Sequence, residues 1–161
     1  MHTQKSRVGV RKYKRLDRAL IDLLYNQGNG VPQDYAKVRK WYLKAAELGH
    51  DAIAQYNLGV LYRDGLGGAQ DYVEARKWFL KAAEQGIVEA QYNLGYLYYN
   101  GQGVAPDNVT AYAWYDIAAS QGDADARHNL DIVVEKLDTD SLAEAQLLSD
   151  EYFKRYVEPF R

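Results

Sequence analysis

Residues 56–86 read YNLGVLYRDGLGGAQDYVEARKWFLKAAEQG, and residues 92–122 read YNLGYLYYNGQGVAPDNVTAYAWYDIAASQG. The two stretches have the same length, the same opening YNLG, a glycine-containing middle and the same final QG. Tryptophan shows that the repetition extends upstream, since Trp41, Trp78 and Trp114 are separated by 37 and then 36 residues. A fixed period of this length is typical of proteins built by stacking one structural unit.

Many other positions recur in register with the tryptophans. Between residues 25–49 and 62–86, 15 of 25 positions are identical. The recurring landmarks are Tyr25, Tyr62 and Tyr98; Gly28, Gly65 and Gly101; Gly30, Gly67 and Gly103; Asp34, Asp71 and Asp107; and the alanine pairs that begin at Ala45, Ala82 and Ala118. One unit is therefore repeated along most of the chain.

Each unit has the pattern of two helices joined by a turn. In the first helix, Ala54, Leu58, Leu61 and Tyr62 follow one another at i, i+4, i+7 and i+8, which is helical spacing. The stretch RDGLGGAQD that follows contains the glycines of a tight turn. We therefore predict a helix, a short loop and a second helix in every unit.

The aspartate after each glycine loop is predicted to start the second helix. Asp71 can accept hydrogen bonds from free backbone N–H groups, and Glu74 three residues later has the spacing of a capping box. The same reading predicts caps at Asp34 and Asp107. The second helix then carries an apolar stripe at helical spacing and ends at Gly86.

The repeat register divides the chain into three parts. A basic segment at residues 1–15 precedes an array at residues 16–137, with units near 16–51, 52–87, 88–123 and 124–137. Residues 138–161 are predicted to form a capping helix that starts at a Ser141–Glu144 capping box and runs to about Tyr156. Its sealing face carries Leu148, Tyr152 and Tyr156.

The two quoted stretches resemble the Sel-one-like repeat, a branch of the tetratricopeptide superfamily. The resemblance covers roughly residues 16–137 and includes LGxxY at Leu58–Tyr62 and Leu94–Tyr98, a pattern shared with tetratricopeptide units. It implies an all-α, right-handed α-solenoid, here of about four helix-turn-helix repeats with the C-terminal capping helix. For the family it implies adaptor or scaffold roles in protein complexes and signalling, mostly without catalysis.

Composition excludes several other classes of protein. The 161 residues contain no cysteine, which excludes a disulfide scaffold, a thiolate zinc site and a cysteine nucleophile. No apolar run approaches the roughly 20 residues of a membrane-spanning helix. The short apolar run after the basic segment is interrupted by Asp22 and lacks a signal-peptide cleavage site. We therefore expect a cytoplasmic protein, although the natural start could lie further upstream.

The sequence contains no recognisable catalytic or cofactor-binding motif. The glycine loops lack the lysine of a phosphate-binding loop, and no serine lies in an S-x-x-K or G-x-S-x-G motif. His2, His50 and His128 do not have the spacing of metal ligands. We predict a protein that is not an enzyme and that has no cofactor and no metal site.

A partner protein or peptide is expected to bind the first helices, because these line the concave surface of the tetratricopeptide solenoids that the chain resembles. The sharpest candidates are the non-repeating residues Arg63, Tyr96, Tyr99 and Asn100, since tyrosine and arginine often anchor interfaces. The remaining candidates on the same face are Tyr56, Asn57, Tyr92, Asn93, His128 and Asn129.

The recurring asparagines allow two interpretations. Asn57, Asn93 and Asn129 could form a ladder of amides that grips a peptide backbone, or each amide could bind an adjacent repeat. The second interpretation is favoured for the asparagines, and a packing role is likewise favoured for Tyr56 and Tyr92. For Tyr96 and Tyr99, binding a partner and packing half-buried against a neighbouring helix are equally well supported.

Charge is distributed unevenly and suggests two alternative functions. Residues 1–18 carry a net charge of +6 and residues 19–161 carry −8, which together give −2. The basic arm could recruit the protein to nucleic acid or an anionic membrane, although a solvated segment explains it more simply. Self-assembly into a homo-oligomer is a third possibility, because a short array has open ends.

Overall fold

The computed structural model describes residues 32–48 and 50–161. This part of the chain folds into seven α-helices and one short 3₁₀ helix: α1 (Pro32–Leu48), α2 (Ala52–Asp64), α3 (Tyr72–Glu84), α4 (Val88–Asn100), α5 (Asn108–Ser120), α6 (Ala124–Val134), α7 (Thr139–Tyr156) and the 3₁₀ helix (Glu158–Phe160). The basic segment at residues 1–15 and the first helix predicted for the first unit lie outside the described residues.

The helices pack as successive pairs, which confirms the all-α solenoid. Helix α2 packs against α3, and α4 packs against α5, so each pair matches one predicted unit. Successive pairs stack through contacts of α1 with α2 and of α3 with α4. No helix in the described ranges combines the length and the apolar character needed to cross a membrane.

Two of the three predicted aspartate caps are confirmed. The Asp71 carboxylate accepts from the backbone N–H of Glu74 at 3.0 Å, and Asp107 accepts from that of Thr110 at the same distance. The cap predicted at Asp34 concerns a side chain that lies outside the described part of the structure, in which α1 runs from Pro32 to Leu48.

The capping box predicted at Glu74 does not form. The Asp71 backbone N–H instead donates to the carbonyl oxygen of Tyr62 at 2.9 Å. The Glu74 Oε2 atom accepts from Nε1 of Trp78 at 3.2 Å. The glutamate therefore satisfies the buried indole N–H of its own helix.

The core lies between the helices of each pair and between successive pairs. Trp78 is 2% exposed and belongs to a cluster with Tyr42 and Ala46 of α1 and Leu58 of α2. The two helices of a pair also approach closely at a glycine. A Cβ atom added to Gly59 would lie 2.6 Å from the Cδ1 atom of Phe79, and Gly95 has the same relation to Tyr115 at 2.7 Å.

In two units, a pair of glutamine amides links the two helices. The Nε2 atom of Gln85 donates to Oε1 of Gln55 at 2.8 Å, and Gln121 donates to Gln91 at 2.7 Å. Gln55 and Gln91 are almost completely buried, so each amide needs a partner inside the protein. This pair of contacts repeats in register because both glutamine positions repeat.

The C-terminal helix begins earlier than predicted and packs on the second helices. Helix α7 starts at Thr139, because Asp138 rather than Ser141 is its cap and accepts from the Ser141 backbone N–H at 2.8 Å. Its end at Tyr156 agrees with the prediction. The helix packs against α5 and also reaches α3. Helix α7 therefore covers the second helices α3 and α5, while Ile132 on the first helix α6 remains 37% exposed.

An aromatic cluster fixes α7 to α5. The Trp114 ring lies 4.6 Å from the Tyr152 ring and 5.5 Å from that of Tyr156, between centroids, and stacks on Tyr156 at 17°. Ser149 of α7 adds a hydrogen bond from its Oγ atom to Oδ2 of Asp116, at 2.6 Å. Tyr152 and Tyr156, two of the three residues predicted to form the sealing face, therefore contact Trp114 on the second helix α5.

Burial of Tyr152 makes the stability of the fold sensitive to alkaline pH. Burial raises the pKa of this phenol to about 12, compared with about 10 in an unfolded chain. The folded state therefore holds its proton more tightly, and stability present below pH 10 is lost as the pH rises through 12. We expect Tyr152→Phe to lose less unfolding free energy between pH 9 and pH 12 than the unaltered protein, as measured by urea denaturation.

Lysine titration contributes equally to the unaltered protein and to the Tyr152→Phe variant, so it cancels in the comparison. Identical pH dependence of the two proteins would show that ionisation of Tyr152 does not destabilise the folded state. Circular dichroism at pH 7 provides the control that the variant is folded.

Candidate partner-binding groove

The first helices of successive units enclose two neighbouring hollows. The first has a volume of about 330 Å³ and is lined by Arg63, Asp64, Gln70, Tyr72, Tyr92, Asn93, Tyr96 and Gln102. The second has a volume of about 100 Å³ and is lined by Tyr96, Tyr99, Asn100, Tyr115, Asn129, Ile132 and Val133. Tyr96 lines both hollows, and we call the continuous surface formed by these residues the Tyr96 groove.

Arg63 is held in place at one end of the groove. Its Nε and Nη2 atoms donate to the two carboxylate oxygens of Asp64 at 2.7 and 2.9 Å, which is a bidentate pair. The hydrogen bond to Asp64 is the main reason why the pKa of Arg63 is raised above its usual value. Its Nη1 atom donates to Oδ1 of Asn93 at 2.6 Å. The guanidinium therefore stays protonated, its charge is balanced by Asp64, and it is bound to Asn93 of the next unit.

The asparagines link adjacent repeats where their hydrogen bonds are resolved. Asn93 accepts from Arg63 of the preceding unit, and its Nδ2 atom donates to the Glu89 carbonyl oxygen at 2.7 Å. Asn129 donates from Nδ2 to the Tyr92 hydroxyl of the preceding unit at 3.4 Å. Asn57 is 8% exposed. These contacts match the favoured interpretation, in which the amides stabilise the stack.

Tyr56 and Tyr92 pack against the second helix of their own unit. The Tyr56 ring lies 5.9 Å from that of Phe79, and the Tyr92 ring lies 5.8 Å from that of Tyr115, both in tilted arrangements. Burial raises the pKa of Tyr92 and, more strongly, that of Tyr115. The phenols of Tyr92 and Tyr115 therefore stay neutral near pH 7, where they act as hydrogen-bonding and packing groups.

Tyr96 is the most accessible aromatic residue of the groove. Its side chain is 40% exposed, whereas Tyr99 is half-buried. Asn100 is exposed, and its Nδ2 atom donates to the Tyr96 carbonyl oxygen at 2.9 Å. The exposed Tyr96 ring therefore lies where the two hollows meet. The neighbouring Asn100 side chain is held by its hydrogen bond to the backbone of α4.

The structure brings together seven of the ten residues that the sequence singled out. Arg63, Tyr92 and Asn93 line the first hollow, Tyr99, Asn100 and Asn129 line the second, and Tyr96 lines both. Tyr56, Asn57 and His128 line neither hollow. His128 is an exposed residue of α6, and Asn57 is buried.

Several lining residues were missed by the sequence reasoning. Gln70, Tyr72 and Gln102 lie in or just after the glycine loops, which the sequence reasoning treated only as turns. The sequence did contain a signal for them. Each glycine loop directly follows a first helix, so its residues start next to the groove that the first helices line. Tyr115 and Val133 were missed as well, whereas the helical spacing does place Asp64 and Ile132 on the groove-facing side of the first helices, although neither was singled out.

No group of three or more histidine, aspartate or glutamate side chains suited to a metal ion occurs within residues 32–48 and 50–161. The polar atoms of the groove instead come from amides, phenols and the Arg63–Asp64 pair. Chemically, the groove can offer hydrogen bonds, aromatic contact area and one small apolar hollow. These are the means by which a surface binds a polypeptide.

The fold and the groove define a helical-repeat protein of the kind that stacks helix pairs into a solenoid. Residues 19–50, 52–87 and 88–123 each match the Sel1 repeat, so the chain belongs to the Sel1 repeat family. Proteins with Sel1 repeats generally mediate protein–protein interactions, and the repeat is typically a non-catalytic scaffold. None of the curated proteins matches the chain.

The solved structures that resemble the protein include two repeat proteins. One is c5321, described as a protective antigen present in uropathogenic Escherichia coli strains displaying an SLR fold, with 38% sequence identity and a TM-score of 0.77 over 81% of this chain. The other is a Sel1 repeat protein from Oxalobacter formigenes, with 41% identity and a TM-score of 0.56 over 58% of this chain. The matches span 28% and 27% of the lengths of those two proteins.

Proposed function

We propose that the protein is a non-catalytic adaptor that binds an extended segment of another protein in the Tyr96 groove. The observation that carries this proposal is the exposed Tyr96 ring between two hollows on the first-helix face. Tyrosine at such a position supplies a large contact area and a hydroxyl at a low cost in side-chain entropy.

The surroundings of Tyr96 support binding because they are already ordered. Arg63, Asn93 and Asn129 are fixed by hydrogen bonds between repeats, and Tyr115 is buried beneath the second hollow. A segment that binds here would lose its own freedom but would not need to order these side chains. The first hollow offers polar contacts to a peptide backbone, and the second accepts one side chain.

The proposal is tested by the double variant Tyr96→Ala with Tyr99→Ala. We expect affinity capture from extract of the native cells to lose the partner, because truncation of anchoring aromatic residues commonly costs 2 kcal/mol or more, roughly 30-fold in affinity. Melting followed by circular dichroism should show a folded protein, since Tyr96 is exposed and Tyr99 is only half-buried.

Leu147→Ala provides the matched control. Leu147 is a large apolar residue that is 71% exposed on α7, away from the groove. This variant should capture the same partner as the unaltered protein. Retention of the partner by a folded Tyr96→Ala, Tyr99→Ala protein would show that the partner binds elsewhere.

A further inference from the structure

The charge pattern of the Tyr96 groove indicates what kind of segment it accepts. Among the residues that line the two hollows there is one cation, Arg63, and there is no lysine. That cation makes two hydrogen bonds to Asp64 and one to Asn93, so three of its nitrogens are already engaged. The groove therefore has no unpaired positive charge with which to attract an acidic ligand.

Carboxylates lie along the α6 side of the same groove. Asp125, Asn129 and Ile132 follow at i, i+4 and i+7 and therefore share one face of α6. Asn129 and Ile132 line the second hollow, and Asp125 is exposed one turn before them. Burial is the main reason why the pKa of Tyr92 is raised, and the nearby charges of Asp125 and Asp123 raise it further; the Tyr92 ring lines the first hollow. Exposed Glu135 and Lys136, which have opposite charges, follow three and four residues after Ile132.

The second hollow is suited to one apolar side chain. Its volume of about 100 Å³ is well below the 300 Å³ or more that is usual for small-molecule pockets. The rings of Tyr96, Tyr99 and Tyr115 and the side chains of Ile132 and Val133 provide its apolar walls. An aliphatic side chain that enters it would lose contact with water on most sides.

We propose that the Tyr96 groove binds an extended segment of a partner protein in which one aliphatic side chain is flanked by lysine or arginine residues. This inference rests on the proposed adaptor function and specifies its ligand. The aliphatic side chain enters the second hollow, and a flanking cation faces Asp125. The polar groups of the first hollow hydrogen-bond to the backbone of the segment.

Fluorescence anisotropy with three labelled peptides tests the inference on the full chain. The first peptide carries a central leucine flanked by two lysines on each side, the second has glutamates in place of the lysines, and the third has serine in place of the leucine. We expect the first peptide to bind about tenfold more tightly than either of the others. Equal or tighter binding of the glutamate peptide would overturn the inference.

Variants of the protein locate the two contacts. Asp125→Asn should weaken binding of the lysine peptide by about two- to fivefold, in line with an exposed charge pair, and added salt should reduce this difference. Ile132→Ser should weaken it by about tenfold. Asp140→Asn is the matched control, because Asp140 lies in the first turn of α7 as Asp125 does in that of α6. An effect of Asp140→Asn equal to that of Asp125→Asn would overturn the assignment of Asp125.

The chain itself contains one competing segment, since residues 5–16 combine lysine and arginine with valine, tyrosine and leucine. A full-length variant with Lys12→Gln and Lys14→Gln distinguishes a segment of a partner protein from this segment of the chain as the occupant of the groove. Unchanged affinity for the lysine peptide supports a partner segment, whereas a severalfold gain would overturn it in favour of the arm of the chain. Failure of these peptides, with loss of native partner capture in the Tyr96→Ala, Tyr99→Ala variant, would overturn the ligand chemistry but leave the adaptor function supported.

Discussion

Trp114→Ala is expected to lower the unfolding free energy by about 3 to 5 kcal/mol, the usual cost of removing a large buried aromatic side chain. Trp114 is 2% exposed and lies against the rings of Tyr152 and Tyr156. Its removal would leave a cavity where α5 meets α7, and α7 would lose its main aromatic contact. Because a domain of this size has only about 5 to 15 kcal/mol of stability, the loss should be evident in urea denaturation.

Trp41→Ala is the matched control for this variant. Trp41 occupies the same repeat position as Trp114, but it is 75% exposed. Its replacement should change stability by no more than about 0.5 kcal/mol, as is usual for surface positions. Equal losses in the two variants would show that the repeat position, rather than the burial of the ring, determines the contribution of tryptophan.

Gly103→Ala is expected to cost about 3 kcal/mol, because two penalties combine. Gly103 has φ +69°, a left-handed conformation that residues with a side chain rarely adopt. A Cβ atom at this position would also lie 2.5 Å from the carbonyl carbon and oxygen of Tyr72, at the start of α3. Backbone atoms cannot move aside as a side chain can, so the loop and the preceding unit would have to separate.

Gly122→Ala isolates the conformational part of this cost. Gly122 has φ +94°, but a Cβ atom there would have no neighbour within 4 Å. Its replacement should therefore cost only about 1 to 2 kcal/mol. Urea denaturation of the two variants gives the difference that is due to docking of the loop on the preceding unit. Equal costs would contradict a role for Gly103 in stacking the repeats.

The loop contact also explains why the glycine spacing repeats. The Nε atom of Arg76 on α3 donates to the Gly103 carbonyl oxygen at 3.3 Å, so the loop of one unit rests on the second helix of the unit before it. Arg39, one repeat earlier, donates from Nη2 to the Ala69 carbonyl oxygen at 3.2 Å. Each glycine loop is therefore both a turn within its unit and part of the contact between units.

Much of the fold could be predicted because its information is local and is repeated along the chain. Asp71 and Asp107 cap their helices as the sequence predicts, since a cap depends on a carboxylate and the backbone three residues away. The error at Ser141 has the same origin, because Asp138 offers an equally good cap three residues earlier. The sequence near residue 140 therefore predicts helix α7 correctly but offers both Asp138 and Ser141 as its cap.

The candidate groove was predictable only in part. Arg63 and Tyr96 were found because they break the repeat, but their surroundings come from other units and loops. The sequence could not show that Asn93 binds the Arg63 guanidinium, because Asn93 is 30 residues away. It also could not assign Gln70 and Gln102 to the groove, because their part in it depends on how successive units stack.

The sequence by itself determined the repeat, its helix pairs, most of their ends and the family, because these depend on spacing along one chain. Only the tertiary structure decided which equivalent residues are buried, as Trp41 and Trp114 show, and that α7 covers α5 rather than α6. The physical reason is that burial and charge pairing depend on neighbours from other units. The same residue type can therefore recur at one position of the repeat and still have a different environment at each place in the stack.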